Sequence, residues 1–159
     1  MQPHTPRRAP RGFTLIELMV VVVIATVLLS IAVPSYMSQV RQSRRTEAKT
    51  AVLDLASREE RYFSTNGALY STTPADLGYS GAFPAAVGTD NYYTITVCSP
   101  AANCDPNPNP PAAPSYYITA TPVAGSSQAG DTQCQSFSVD SSGQQFSTGA
   151  LPSPQCWAQ

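Results

Sequence analysis

The chain has 159 residues, of which 42% are hydrophobic and 12% charged, and its formal net charge is −1. This length accommodates one small domain and an anchor, and it excludes an enzyme of several domains. All nine Lys and Arg residues lie at or before Arg61, whereas five acids and no basic residue follow from Tyr62 onward. A distal region with no cation repels nucleic-acid phosphates, so we do not expect it to bind nucleic acid.

An apolar run from Phe13 to Val33 follows a short segment with three arginines, three prolines and no acid. About 20 apolar residues suffice for a helix to cross a bilayer core, so the run predicts a membrane-spanning segment. A carboxylate inside such a helix is costly and usually has a functional partner. Cleavage between Gly12 and Phe13 would free an α-amine one helical turn from Glu17, in the same chain or in a packed neighbour. The polar residues in the run are Thr14, Glu17, Thr26 and Ser30.

A secretory signal peptide is the alternative interpretation of this N-terminal region. Ser30 and Ala32 have the spacing of a small-residue cleavage site, which predicts a plain secreted β-rich protein cut after Ala32. However, Glu17 would interrupt the apolar region of such a signal, and the run is long for one. We therefore favour cleavage before Phe13 and keep secretion as the alternative.

The stretch Arg11-Gly12-Phe13-Thr14-Leu15-Ile16-Glu17 resembles the prepilin junction of type IV pilins and the related pseudopilins. The resemblance implies that a prepilin peptidase cuts after Gly12 and N-methylates Phe13. It also implies that Glu17 pairs with the amine of an adjacent subunit during filament assembly. Further similarity, most of all to PilE-type minor pilins of type IVa systems, continues through Ser43–Lys49, Glu60–Phe63, Tyr116–Pro122 and Cys156-Trp157.

This resemblance implies a structural subunit of a bacterial type IV pilus, and a minor one. Such a subunit resides in the inner membrane before assembly and then in the extracellular pilus, where it supports motility, adhesion or DNA uptake. A pseudopilin of a type II secretion system is one alternative, and a pilin module that binds DNA or a surface is another. The implied organisation is a cleaved leader at 1–12, a membrane and filament-core segment at 13–33, and an extracytoplasmic domain at 34–159.

One long helix is predicted from Phe13 to about Ser64, because this stretch contains no glycine and only one proline. Pro34 should kink the helix rather than end it, and Asn66-Gly67 should end it. We expect the basic residues of the helix (Arg41, Arg44, Arg45 and Lys49) to pair with acids on neighbouring helices. A stripe on one face of its second half indicates core packing and consists of Ala48, Val52, Leu55, Glu59 and Tyr62.

Alternating β-branched, aromatic and polar residues predict strands after an ordered loop at 67–90. The predicted strands lie near Tyr93–Val97, Tyr116–Thr121 and Phe137–Val139, with a short last strand near Phe146. The fold class is therefore α+β, with the second half of the kinked helix packed on a three- to four-stranded antiparallel meander.

Four cysteines, all at or after Cys98, predict two disulfides formed in an oxidising compartment. We favour Cys98 with Cys104, which would clamp the base of a proline-rich loop, and Cys134 with Cys156. The latter pair resembles the C-terminal bridge that encloses a variable surface region in the pilin family. Apart from this bridge, only Trp157 and Leu151 are expected to hold the tail.

Neither a metal, a cofactor nor catalysis is expected. The cysteines lack a Cys-x-x-Cys motif, and the single histidine, His4, lies in the predicted leader. Without a histidine in the mature chain, a Ser-His-Asp arrangement cannot form. Asp105, Asn107 and Asn109 imitate the first ligands of an EF-hand loop, but Pro110 occupies the position that requires glycine.

Overall fold

The computed structural model of the chain describes residues 12–88 and 90–158. The predicted leader, apart from Gly12, and His4 therefore lie outside the described residues. The chain divides into two compact units between Gln39 and Val40. Each unit is described by itself below.

Helix α1 runs from Leu15 to Thr65 and contains Pro34 without interruption. The long helix predicted from the lack of glycine is thus confirmed, while the kink at Pro34 stays a prediction. The helix ends where Asn66-Gly67 predicted. The Asn66 N–H donates to the carbonyl of Tyr62 at 2.9 Å, and Gly67 follows with a φ of 67° that favours glycine.

Five strands form one antiparallel sheet in the order β1-β2-β3-β4-β5. Each strand pairs with the next in the chain, so the predicted meander is confirmed. The predicted number of three to four strands is too low by at least one. The strands are β1 (Ala85–Val87), β2 (Tyr93–Cys98), β3 (Tyr117–Pro122), β4 (Phe137–Asp140) and β5 (Gln145–Ser147).

The additional strand, β1, lies in the stretch that was expected to be a loop. Three residues are too few to show an alternating pattern, so its conformation comes from pairing with β2 (Ala85 with Ile95 and Val87 with Tyr93). Three short helices were not predicted either. Two are 3-10 helices, at Pro74–Leu77 and Ala101–Asn103, and the third is α2, at Ser153–Ala158.

The core of the second unit lies between one face of α1 and one face of the sheet. Ala48, Val52 and Leu55 are fully buried, as the predicted stripe requires. They contribute to one cluster together with alternate residues of the central strands. These are Tyr93, Ile95 and Val97 of β2, Ile118 and Ala120 of β3, and Phe137 and Val139 of β4.

Candidate functional site

Glu17 lies in the first turn of α1, where it forms a capping box with Thr14. The backbone N–H and the hydroxyl of Thr14 donate to Glu17 Oε2 at 3.1 and 3.0 Å. In return, the Glu17 N–H donates to Thr14 Oγ1 at 3.3 Å. This reciprocal arrangement satisfies donors that would otherwise be unpaired at the start of the helix. The Thr-x-x-Glu spacing predicts a capping box. The interpretation of Glu17 from the sequence, as a partner for an amine, did not use this spacing.

The bond between Gly12 and Phe13 lies next to this carboxylate. Gly12, Phe13, Thr14 and Glu17 line a shallow open cleft, and Phe13 is 86% exposed. The peptide bond between Gly12 and Phe13 is therefore exposed at the surface of the described residues. A carboxylate at a helix N-terminus can also bind an ammonium group placed beside it.

In the described part of the first unit, the large apolar side chains from Phe13 to Val33 are each more than half exposed. Among the described residues, α1 is the one helix that is long and apolar enough to cross a membrane. Two of its hydroxyls, those of Thr26 and Ser30, donate to the carbonyls of Val23 and Val27 at 2.8 and 2.7 Å. These polar groups are therefore satisfied within the helix. Glu17 is the one charged group in the run from Phe13 to Val33, so an ionic contact there must use it.

In the second unit, a buried ion pair joins α1 to the segment between β3 and β4. Arg45 Nε and Nη2 donate to the two carboxylate oxygens of Asp131 at 2.7 and 2.8 Å. The two side chains are 6% and 2% exposed. Gln128 also donates to Asp131, at 3.0 Å, and Gln133 accepts a bond from Arg45 at 3.3 Å.

The expected pairing of Arg45 with a neighbouring helix is thus wrong, because this guanidinium is buried in its own chain. Burial pushes the pKa of Asp131 upward, but the hydrogen bonds and the charge of Arg45 outweigh burial and hold this pKa below its ordinary value. Arg44 also has partners within the chain. It hydrogen-bonds to Ser127 and to the Tyr92 hydroxyl, and it lies 3.6 Å from the centre of the Tyr92 ring. The sequence offered no signal for these contacts, which join residues far apart in the chain.

The two disulfides of the structure are Cys98–Cys104 and Cys134–Cys156, the same pairing that was favoured from the sequence. Trp157 holds the tail around Cys156, as was expected. The Trp157 indole N–H donates to the carbonyl of Phe146 at 2.9 Å, and its ring meets Phe137 edge-on at 5.8 Å. The tail is therefore attached to both β4 and β5.

The proline-rich loop uses its polar side chains to fix its own backbone. Asp105 Oδ1 accepts the Asn107 N–H at 2.8 Å, and Asn107 Oδ1 accepts the Asn109 N–H at 3.1 Å. These bonds are Asx turns rather than the start of a ligand shell. Over residues 12–88 and 90–158, no three His, Cys, Asp or Glu side chains are grouped so that they could hold a metal ion.

Two family models match this sequence. One, described as "Type IV minor pilin ComP, DNA uptake sequence receptor", matches residues 34–138. The other, described as "Prokaryotic N-terminal methylation motif", matches residues 7–33 and so includes the Gly12-Phe13 junction and Glu17. Together they cover both the apolar run and most of the second unit.

Curated relatives are similar over about two fifths to three fifths of the chain. The type IV major pilin protein PilA of Myxococcus xanthus is 35% identical over 95 residues, which are 60% of this chain and 40% of that protein. The fimbrial protein EcpC of Eikenella corrodens is 34% identical over 95 residues, 60% of this chain and 58% of its own length. The type II secretion system core protein G of Pseudomonas aeruginosa is 44% identical over 66 residues, 42% and 46% of the two chains. The matches thus span about half the length of these relatives.

Proposed function

Because the chain belongs to the family of ComP-like type IV minor pilins, we propose that it is a structural subunit of a bacterial type IV pilus. Pilins of this family are structural proteins, and we propose no catalytic role for this chain. The subunit assembles with other pilin subunits through the apolar part of α1. One observation carries the proposal: the exposed apolar segment 13–33 has a single carboxylate, Glu17, one turn after an accessible Gly12-Phe13 bond.

The apolar run requires a partner that the chain itself does not supply. Large exposed apolar surfaces are costly in water and mark contact with lipid or with another protein. We propose that residues 13–33 lie in the inner membrane before assembly and in a helical bundle at the filament core afterwards. The disulfides support an extracytoplasmic position for the second unit, because they form in oxidising compartments.

In this proposal a prepilin peptidase cuts between Gly12 and Phe13, and Phe13 becomes N-methylated. The new amine at Phe13 of an arriving subunit pairs with Glu17 of a neighbour. This ion pair compensates both charges in a medium where neither is hydrated, so it fixes the axial position of the incoming subunit. In the uncut chain, Thr14 keeps the Glu17 carboxylate hydrogen-bonded until that partner arrives.

The N-terminus of the mature protein tests this proposal. Intact mass and N-terminal peptide sequencing, on protein purified from its native membrane, should find Phe13 first and one methyl group on its amine. A mature chain that starts at Val33 would instead establish the secretory alternative. A Gly12→Val variant should keep its leader, because a branched side chain obstructs the peptidase, whereas Ala9→Val should be processed normally.

A pseudopilus subunit is the nearest alternative, since core protein G of a type II secretion system is among the relatives. A pilus subunit and a pseudopilus subunit differ in what is lost when the gene for this chain is deleted. A pilus subunit should be found in sheared surface filaments, and its deletion should reduce piliation while secretion of exoproteins continues. The reverse result would assign the chain to a secretion pseudopilus.

DNA binding is a second candidate function, favoured by the description of the matching family as a DNA uptake sequence receptor. From Tyr62 onward the chain has no basic residue, so phosphate contacts would have to come from α1. Several of its basic residues are already engaged, among them Arg45 with Asp131 and Arg58 with Asp54. The exposed guanidiniums of Arg41 and Arg61 are the candidates for phosphate contacts.

The salt dependence of DNA affinity shows whether Arg41 and Arg61 contact phosphates. If Arg41 and Arg61 contact phosphates, replacing either with Gln should reduce the slope of log affinity against log salt by about one. Asp90→Asn, which removes an exposed acid of the distal region, is the matched control and should not lower affinity. An affinity that both Arg substitutions leave unchanged would exclude DNA contact through α1.

A further inference from the structure

Glu59 is a carboxyl group inside the core of the second unit. It continues the buried stripe of Ala48, Val52 and Leu55 along α1, and it is 0% exposed. Its Oε2 accepts the backbone N–H of Ser71 at 3.1 Å. Its Oε1 is also buried and has no hydrogen-bond partner. A carboxyl group at such a position in an apolar stripe normally belongs to a residue with a specific task.

The charged groups that act on Glu59 are both acids. Glu60 is its neighbour on α1, and Asp76 approaches it from the 3-10 helix Pro74–Leu77. Burial above all raises the pKa of Glu59 to about 7. The Ser71 N–H opposes this shift, and the negative charges of Glu60 and Asp76 add to it. An ionised Glu59 is therefore buried without a compensating cation.

Three tyrosines complete the surroundings of Glu59 and do not titrate near neutral pH. They come from three elements: Tyr62 from α1, Tyr70 from the connection after it, and Tyr116 from the residue before β3. Burial raises the pKa of each, that of Tyr70 to about 12. The carboxyl of Glu59 is thus the group of this cluster whose pKa lies near neutrality.

Glu59 attaches the first part of the connection between α1 and the sheet. Ser71, whose N–H it binds, donates its own hydroxyl to Asp76 at 2.7 Å and accepts the Thr73 N–H at 3.0 Å. The later part of the connection has a different attachment. Arg58 donates to the carbonyl of Leu77 at 2.9 Å and lies 5.2 Å from the centre of the Tyr79 ring.

We propose that Glu59 is a proton-dependent latch, which holds residues 69–76 against α1 when its carboxyl is protonated and releases them when it is ionised. The pKa of Glu59 is about 7 in the closed state and has the ordinary value of 4.5 once water reaches the carboxyl. Protons are therefore bound more tightly by the closed state. The closed state is most favoured below the ordinary pKa, and it loses this advantage as pH rises through about 7.

Release of this segment would reshape a surface of the second unit. A cavity of about 530 Å³ lies between the end of α1 and the connection, and Tyr62, Asn66, Asp76 and Gly78 contribute to its wall. Asp76 belongs both to this wall and to the network of Ser71. Release of the segment that carries Asp76 would therefore change one wall of this cavity.

Amide hydrogen exchange of the full chain in detergent micelles tests the latch. After correction for the intrinsic pH dependence of exchange, protection at Ser71 and adjacent amides should fall at least about tenfold between about pH 5 and about pH 8. Amides of Ile118 and Ala120 in β3 report on global unfolding and should keep their protection. Equal losses in both regions, or no loss at Ser71, would overturn the proposal.

Two substitutions distinguish the contribution of Glu59 to the pH response from that of its acidic neighbour Glu60. Glu59→Gln keeps an acceptor for the Ser71 N–H but cannot ionise, so protection at Ser71 should no longer depend on pH. Glu60→Gln, at an exposed position, should retain the pH dependence of the unsubstituted protein. A pH response that survives Glu59→Gln would contradict the latch.

A direct titration remains decisive even if Glu59→Gln fails to fold. The carboxyl carbon of Glu59, followed by NMR in selectively labelled full-length protein, should titrate well above the ordinary glutamate value of 4.5. A midpoint for Glu59 at the ordinary glutamate value would overturn the proposal.

Discussion

The two halves of α1 have the same backbone conformation but opposite surroundings. From Phe13 to Val33 the large apolar side chains are between 51% and 86% exposed. In the second half, Ala48, Val52 and Leu55 are 0% exposed. The first half therefore depends on molecules outside the chain, whereas the second half is stabilised by the sheet of its own unit.

Glu17 and Glu59, one acid from each half, follow the same division. Among the described residues, Thr14 is the hydrogen-bond partner of the Glu17 side chain, and we propose that the remaining capacity of this carboxylate serves another subunit. In the second half, Glu59 and the Arg45–Asp131 pair are buried within the fold. Substitutions in the first half should therefore change assembly without changing stability, and those in the second half should do the reverse.

Glu17→Ala should have the largest effect, a near-complete loss of incorporation into filaments. The variant removes the one carboxylate that can bind an incoming amine, yet it removes no contact of the second unit. Its melting temperature in detergent should therefore equal that of the unsubstituted protein. The measurements are the amount of subunit in sheared filaments and the thermal unfolding curve.

Thr26→Ala is the matched control for Glu17→Ala. It removes another polar side chain from the same apolar run, but this hydroxyl is already satisfied by the carbonyl of Val23. Assembly should be normal. If Thr26→Ala and Glu17→Ala assembled equally well, the ionic role of Glu17 would be excluded.

Asp131→Ala should have the largest effect on stability. It leaves the Arg45 guanidinium buried without its carboxylate, a change that costs about 3–5 kcal/mol in comparable sites. The double substitution Arg45→Met with Asp131→Leu should cost less, because it leaves no uncompensated charge in the core. Denaturant unfolding of the full chain measures both. Single and double variants with equal losses would show that packing rather than charge determines the effect.

The low pKa of Asp131 adds a pH dependence to this contribution. Because the folded pKa lies below the ordinary value of 3.8, the stabilisation is present above pH 3.8 and is lost as pH falls through the folded pKa. Asp131→Asn should therefore flatten the acid side of the stability curve. If Asp131→Asn left the stability curve unchanged at acid pH, the pH dependence would not come from Asp131.

The two disulfides should differ in a smaller but measurable way. Cys134–Cys156 encloses a sequence separation of 22 residues and Cys98–Cys104 one of 6. The chain-entropy model gives about 3 kcal/mol for the longer loop and about 2 kcal/mol for the shorter one. Replacing both cysteines of each pair with serine should therefore lower the melting temperature more for Cys134 and Cys156.

Peptide mapping of the unsubstituted protein is the accompanying test of the pairing. A peptide that joins Cys98 to Cys134 or Cys156 would contradict the pairing, and free thiols would contradict the proposed extracytoplasmic position. The double variant of Cys134 and Cys156 should also expose its tail to protease. Because Trp157 still holds the tail to Phe146, this exposure should be partial.

The helix and most strands could be predicted because their signals are local. The absence of glycine from Phe13 to Thr65 and the Asn66-Gly67 pair gave the extent of α1 to within about two residues. Alternation gave β2, β3 and β4. The signal for the predicted Gly12-Phe13 junction and for Glu17 is local too, since it is contained in six adjacent residues.

Features that depend on distant contacts could not be predicted. The short β1 exists because it pairs with β2, and Arg45 is buried because Asp131 meets it from 86 residues away. Glu59 was recognised as a member of the core stripe, but its pKa depends on Ser71 and Asp76 in a loop whose path no local pattern determined. The short β1, the buried Arg45 and the carboxyl of Glu59 are also the features that distinguish the second unit from an ordinary helix packed on a sheet.

The smallest expected effect concerns an ion pair at the surface of the second unit. Asp54 Oδ2 accepts a bond from Arg58 Nε at 2.7 Å, one helical turn apart, with the side chains 47% and 31% exposed. Exposed pairs of this kind contribute about 0.3–0.5 kcal/mol, so Asp54→Ala should change stability by no more than that.

Arg58→Ala should cost more, because Arg58 also donates to the carbonyl of Leu77 and lies over Tyr79. The excess of the Arg58 loss over the Asp54 loss, from paired denaturant titrations, measures how firmly α1 holds the later part of the connection. Equal losses would mean that only the surface ion pair contributes to stability. Water would then satisfy the Leu77 carbonyl as well as Arg58 does.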